Sequence, residues 1–217
     1  DPDTRLLAGA SRYRLPSWMI RDGALKSAGL LNPALGGPPV RPFQPDGVWE
    51  EMFMGRFKYE PSEGAAQYRR ALYAFWRRAI APTFLFDSAQ RRVCEVRLAR
   101  TNTPLQALTL LNDGNMLAAA RALGDEAADR GGNPDERIAS MMFRVVGRTP
   151  TASEARLLRE QFDRETKHYR NRPEEAEALL ARARCDFDSP TKPGPERAAY
   201  VLTASLLLNL DEAVNRE

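Results

Sequence analysis

Histidine and cysteine are almost missing from this chain, which has one histidine, His168, and two cysteines, Cys94 and Cys185, in 217 residues. A multi-histidine metal site is therefore excluded, and a nucleophile–histidine pair must use His168 or nothing. His168 stands late in a predicted helix, where a basic side chain suits the negative end of the dipole, so it reads as surface structure. The cysteines are far apart with no Cys-x-x-Cys spacing, which removes the local signatures of zinc, thioredoxin-like and haem-attachment sites. They are either two thiols or, in an oxidising compartment, one disulfide. No apolar run approaches the roughly 18 residues of a membrane span. The opening Asp1-Pro-Asp-Thr lacks the basic start and apolar stretch of a signal peptide. Neither a Gly-Lys-Ser/Thr phosphate loop nor a Gly-x-Ser-x-Gly elbow occurs.

The hydrophobic share of 43% and charged share of 28% are those of a soluble globular chain long enough to bury its own core. Its net charge of +3 is unevenly spread. Residues 1–100 hold 16 Lys/Arg against 10 Asp/Glu, and residues 101–217 hold 16 against 19. The excess concentrates in 56–100, where Tyr68, Tyr73, Phe75 and Trp76 interleave with arginines. Such a segment is either a nucleic-acid surface or a set of solvated edges around buried aromatics. The small excess favours the second reading.

Helix signals dominate the pattern. Pro16 to Gly29 starts on proline and stops on glycine. Residues 31–47 carry Pro33, Pro38, Pro39, Pro42 and Pro45, so this stretch is predicted to be an ordered loop wrapping a core. Asp46 is expected to cap a short turn with Val48, Trp49, Met52 and Phe53. Residues 67–82 place Tyr68, Leu72, Phe75, Trp76 and Ile80 at helical spacing. Phe84 to Phe86 reads as extended, and 91–99 alternates well enough for the one plausible strand. Thr103 and Pro104 open a helix whose Leu105, Leu108 and Leu111 are expected to face the core. Asp113-Gly114 is a break, and Asn115 to Arg130 continues to Gly131-Gly132. Further helices are predicted from Asn133 to Gly147, from the capping box Thr151-Ala-Ser-Glu154, over 173–183 and over 195–210. A loop at 185–194 separates the last two. The expectation is a mainly α, irregular bundle of six to seven helices, one domain over 1–217, with at most a minor β element.

The segment Arg100 to Asp113, RTNTPLQALTLLND, holds polar groups beyond what a helix start needs. Asn and Gln each combine donor and acceptor, and Arg offers a fixed fork, a set suited to sugar hydroxyls or a carboxylate. The same groups also satisfy loop backbone. The candidate ligand-binding residues are Asp87, Arg97, Arg100, Thr101, Asn102, Gln106 and Asn112, with Trp49 and Trp76 as aromatic surfaces. Asp22 with Asp87, or Asp186 with Asp188, are possible carboxylate pairs. Asp186-Phe-Asp188 lacks the spacing and glycine of a calcium loop, and loop acids usually serve structure.

Five runs then carry a resemblance: GGPPVRPFQPDGVWEE, YRRALYAFWRRAIAP, FDSAQRRVCEVRLARTNTPLQALTLLND, FRVVGRTPTASE and LLLNLDEAVNRE. Together they resemble a domain of unknown function abundant in planctomycetes and their relatives, over about Arg5 to Glu217. That domain forms the C-terminal part of large exported proteins, beside a planctomycete-type cytochrome c domain and a second uncharacterised domain. Two places depart from it: Pro39 stands where serine is more usual, and RCDFDSPTKPG differs from the family's wording. The resemblance implies an extracytoplasmic setting, a neighbouring haem c and service in polysaccharide breakdown, and it carries no catalytic residues over. No haem attaches within this chain, which has no Cys-x-x-Cys-His. The expected function is an accessory domain, an interdomain scaffold or glycan-binding module, with upstream domains of the same polypeptide and polysaccharide as partners. The alternative is a carbohydrate-active enzyme domain with its site near Arg100–Asp113.

Overall fold

Side-chain caps fix where four consecutive helices in the middle of the chain begin. The computed structural model describes residues 12–77, 80–87, 96, 101–183 and 194–216. A two-residue strand β1 (Tyr13–Arg14) leads into α1 (Ser17–Ser27), which Pro16 precedes and Gly29, at φ 74°, follows. After a short α2 (Val48–Met52), the chain returns to helix at α3 (Pro104–Asn112) and α4 (Gly114–Asp129). Next come α5 (Pro134–Val146), α6 (Ala152–Asn171), α7 (Pro173–Arg182) and α8 (Pro195–Leu208). A last turn α9 (Asp211–Val214) runs into β2 (Asn215–Arg216), which pairs antiparallel with β1. Reciprocal capping boxes open α3 (Thr103 with Gln106), α5 (Asn133 with Glu136) and α6 (Thr151 with Glu154). Each satisfies two otherwise orphaned N–H groups. Gly147 closes α5 in the left-handed conformation that glycine adopts without strain. The mainly α architecture with a minor β element is as the sequence predicts. Among the described residues, no helix is long and apolar enough to cross a membrane.

The core centres on α4, α8 and α6. Met116, Ala119, Ala120 and Leu123 of α4 are buried with Ala198, Val201, Ala204 and Leu207 of α8. Small side chains bring the two backbones together: a Cβ on Gly124 would stand 2.8 Å from backbone N and Cα of Val201. Across α6 and α8 the Phe162 and Tyr200 rings lie 4.4 Å apart between centroids. Arg197 ties the α4–α8 seam with ion pairs to Asp125 (2.8 Å) and Asp129 (2.5 Å). From the other side α1 contributes Ile20, Ala24 and Leu25 to the same core.

Residues 67–82 do not form the helix their spacing suggests. A 3₁₀ turn, Gly64–Ala66, precedes the segment, and among its described residues a second, Ala71–Tyr73, interrupts an otherwise non-helical path. Their backbone groups find partners elsewhere. Val40 N donates to the Tyr73 carbonyl (2.8 Å) and Phe75 N to the Val40 carbonyl (2.7 Å), while Asn32 N donates to Tyr68 (2.9 Å). The buried Arg21 guanidinium donates to the carbonyls of Arg69 and Gln67, each at 2.9 Å. Asp22 accepts from Ala71 N at 2.9 Å. Arg69 reaches the wrap itself, donating to the carbonyls of Pro38 (2.9 Å), Ala34 (3.1 Å) and Gly36 while stacking on Tyr73. Arg21, Asp22 and the proline-rich wrap thus satisfy a backbone that a helix would otherwise satisfy internally, and Arg69 in turn satisfies carbonyls of the wrap. Burial pulls the Arg21 guanidinium below its usual pKa and pushes the Asp22 carboxyl up, each partly offset by the other.

Two further expectations change. Asp46 does not cap α2: the N-cap is Gly47, at φ 84° with no side-chain cap. Nor do Leu105, Leu108 and Leu111 face the core; they are 74%, 56% and 47% exposed. Apart from Val96, which is fully exposed, the expected strand at 91–99 lies outside the described residues, as do both cysteines, Asp186, Asp188 and the loop at 185–193.

Candidate functional site

Four of the predicted site residues meet at the start of α3, and Gln106 is their hub. Its backbone N–H donates to Thr103 Oγ1 (3.3 Å), and its side-chain oxygen accepts from Thr103 N (3.2 Å). The same side chain's nitrogen donates to Thr101 Oγ1 (2.6 Å) and to Asp87 Oδ2 (3.2 Å). Asp87 also accepts from Thr101 N at 2.7 Å and from the Thr101 hydroxyl at 2.9 Å. Asp87 adopts φ 55°, a left-handed conformation that Asp tolerates better than most side chains. Asn102 joins through Arg14, whose Nη1 donates to Asn102 Oδ1 at 2.5 Å and whose guanidinium lies 5.5 Å from the Phe86 ring centroid. Burial lowers the Arg14 pKa, and the Asp87 charge partly restores it.

This arrangement sets the phase of α3. Gln106, Leu110 and Asp113 are buried, four and three residues apart on one helical stripe. Gln106 turns inward to close the network just described. Asp113 turns inward to cap α4, accepting from Asn115 N and Asn115 Nδ2 at 2.9 and 3.0 Å and from the Thr83 hydroxyl. With both polar ends fixed inward, the opposite stripe of Leu105, Leu108 and Leu111 must point out.

The remaining candidates lie elsewhere. Asn112 is exposed and donates to the Leu108 carbonyl of its own helix at 2.9 Å. Trp49 is wholly buried, its indole N–H donating to Gln44 Oε1 at 2.8 Å amid Phe53, Phe57, Tyr59 and Phe75, with centroids 5.0–5.9 Å away. It therefore offers no face to a ligand and leaves the candidate set. Trp76 is half-buried in the extended segment after Phe75, and Arg97 and Arg100 lie outside the described residues. His168 contacts Glu175 at 2.7 Å, a surface pairing.

Chemically, the cluster is an engaged anion. Asp87 accepts from three donor groups, which organises the loop and leaves little lone-pair capacity for a base. Arg14 is the member that local pattern did not reveal, because its contact spans 88 residues of sequence. The outward leucines had a readable signal: Gln106 and Asp113 are both capping residues, and their spacing of seven places them on one face. Among the described residues, no group of three or more His, Cys, Asp and Glu side chains gathers as a metal site would need.

No curated protein and no solved structure matches the chain. A family model, PSD1, described as a protein of unknown function (DUF1553), matches residues 1–162, a span that ends within α6. With about three quarters of its length so matched, the chain belongs to that family.

Proposed function

We propose that this chain is an accessory docking domain, one helical unit over 1–217, which seats the outer face of α3 against a neighbouring domain of a larger exported polypeptide. The observation that carries this reading is the exposure of Leu105, Leu108 and Leu111 on one face of a doubly capped helix. Fully burying a leucine contributes about 1.5–3 kcal/mol, so covering these three partly exposed ones contributes roughly 3–5 kcal/mol. That gain suits an interface within one polypeptide, where association carries a smaller entropic cost than between free proteins. The sequence resemblance supplies the occupant: an upstream domain of the same polypeptide, with haem c and any redox chemistry residing there. It also carries the extracytoplasmic setting and the link to polysaccharide.

Glycan recognition or turnover near Arg100–Asp113 has less support. Asp87, Thr101 and Gln106 are engaged with one another and Asn102 with Arg14. The test is hydrogen exchange over 104–112 in the isolated chain and in the polypeptide that carries its upstream domains. Docking slows exchange in the longer protein, and the change Leu105→Ser/Leu108→Ser/Leu111→Ser removes that slowing while leaving the isolated chain folded. Equal exchange in both contexts would refute the reading.

A further inference from the structure

A second feature, distinct from the α3 face, is a cavity of about 670 Å³ between α1, the end of α5 and the α8–α9 turn. Its size falls within the roughly 300–1,000 Å³ of small-molecule sites. Its wall is divided between apolar and polar surface, and Leu15, Trp18, Met19, Leu31, Val145 and Val146 make the apolar part. Trp18 and Met19 are each 42% exposed although they belong to a helix whose other face enters the core. Unburied indole and thioether on a concave wall mark a surface shaped for an apolar body.

The charges lining the cavity do not cancel. Its two acids are engaged, Asp22 by Arg21 (3.2 Å) and Ala71 N, and Glu212 by Arg148 (2.5 and 2.9 Å). Arg144 pairs with Glu126, and Arg70 Nε stands 4.0 Å from Asp22. Lys26 and Arg216 remain, both exposed and neither in an ion pair among the described residues. The cavity thus presents two uncommitted cations beside an apolar wall.

Gly23 supplies an independent argument. Glycine inside a helix costs about 1 kcal/mol relative to alanine, so packing normally has to justify it. Gly124 has such a reason in the Val201 backbone, but a Cβ on Gly23 would meet no atom within 4 Å. Gly23 lines the cavity, and its missing side chain leaves space there.

We infer that this cavity binds a small amphiphilic anion, an aliphatic or aromatic body carrying one carboxylate, with the body against Trp18 and Met19 and the head between Lys26 and Arg216. Isothermal titration of the chain at neutral pH with decanoate and with 2-naphthoate tests it, the two probes distinguishing an aliphatic from an aromatic body. Saturable one-to-one binding of at least one is expected, with decanol weaker than decanoate. Gly23→Phe, which fills the space, should abolish binding. Lys26→Glu/Arg216→Glu should raise Kd on the order of tenfold or more, since each head-group attraction near water is about 1 kcal/mol at close range. The inference is overturned if neither probe binds, if Gly23→Phe binds as the parent does, or if charge reversal leaves Kd unchanged. Circular dichroism checks each variant's fold; should Gly23→Phe not fold, the two surface charge reversals decide alone.

Discussion

Two glycines inside helices should respond to the same substitution with opposite signs. Gly23 lies in the body of α1 and Gly124 in the body of α4, so alanine at either recovers the helix-propensity difference of about 0.8–1 kcal/mol. At Gly23 the added methyl meets nothing within 4 Å, and the gain is unopposed. Gly23→Ala should therefore raise Tm by about 2–4 °C in a chain of this size. At Gly124 the methyl would stand 2.8 Å from both N and Cα of Val201 and 3.0 Å from the Tyr200 carbonyl carbon. Those are backbone atoms of α8, which cannot rotate aside as a side chain can, so α8 has to shift as a body. Overpacking of this kind costs about 1–3 kcal/mol, and a backbone clash at the central helix pair belongs near the upper end. Setting the propensity gain against it leaves a net loss of about 2 kcal/mol, or a Tm lower by roughly 4–8 °C. Thermal unfolding followed at 222 nm, with urea titration to confirm an unchanged m-value, measures both. A stabilised Gly124→Ala would refute the close α4–α8 approach; a destabilised Gly23→Ala would refute the open space beside α1.

Three further perturbations probe the polar framework. Asp87→Ala removes the acceptor of the Thr101 N–H and hydroxyl and one of the two acceptors of the Gln106 amide, and should cost about 0.5–1.5 kcal/mol in urea unfolding, Asp87→Asn costing less; equal, negligible effects would remove Asp87 as the anchor of the α3 start. Arg21→Met strands the carbonyls of Gln67 and Arg69 and leaves Asp22 without its buried partner, so a loss of about 3–5 kcal/mol is expected, with faster hydrogen exchange in residues 67–75 as the specific readout. Arg148 bonds Glu154 and Glu212 at once and through those bonds holds both carboxyls below the usual carboxylate range. Their contribution is full above the unfolded glutamate value of about 4.3 and is lost as pH falls through the folded values. The Tm difference between the parent and Arg148→Met should accordingly shrink from neutral pH to strongly acidic pH, and a constant difference would refute the clasp.

Helix boundaries were legible because their determinants are local. Thr103-Pro104, Asn133-Pro134 and Thr151 with Glu154 each place donor, acceptor and backbone within four residues, and each opens a helix. The candidate cluster was legible in part for the same reason: Thr101, Asn102 and Gln106 are near neighbours, and Asp87 lies 14 residues from Thr101. What escaped depends on contacts that sequence order hides. Residues 67–82 have helical spacing, yet Arg21 and Val40 claim their backbone groups from far upstream. The same competition explains α3. Counting leucines predicts that Leu105, Leu108 and Leu111 turn inward, because burying apolar surface usually stabilises more than pairing polar groups does. Here the inward stripe instead holds Gln106 and Asp113, which between them join Asp87, Thr101, Thr83 and Asn115. Turning the helix to bury the leucines would keep the local caps but break the bonds of Gln106 to Asp87 and Thr101 and that of Asp113 from Thr83. The polar networks therefore set the rotation of α3, and the apolar face they leave outside is the surface on which the docking proposal rests.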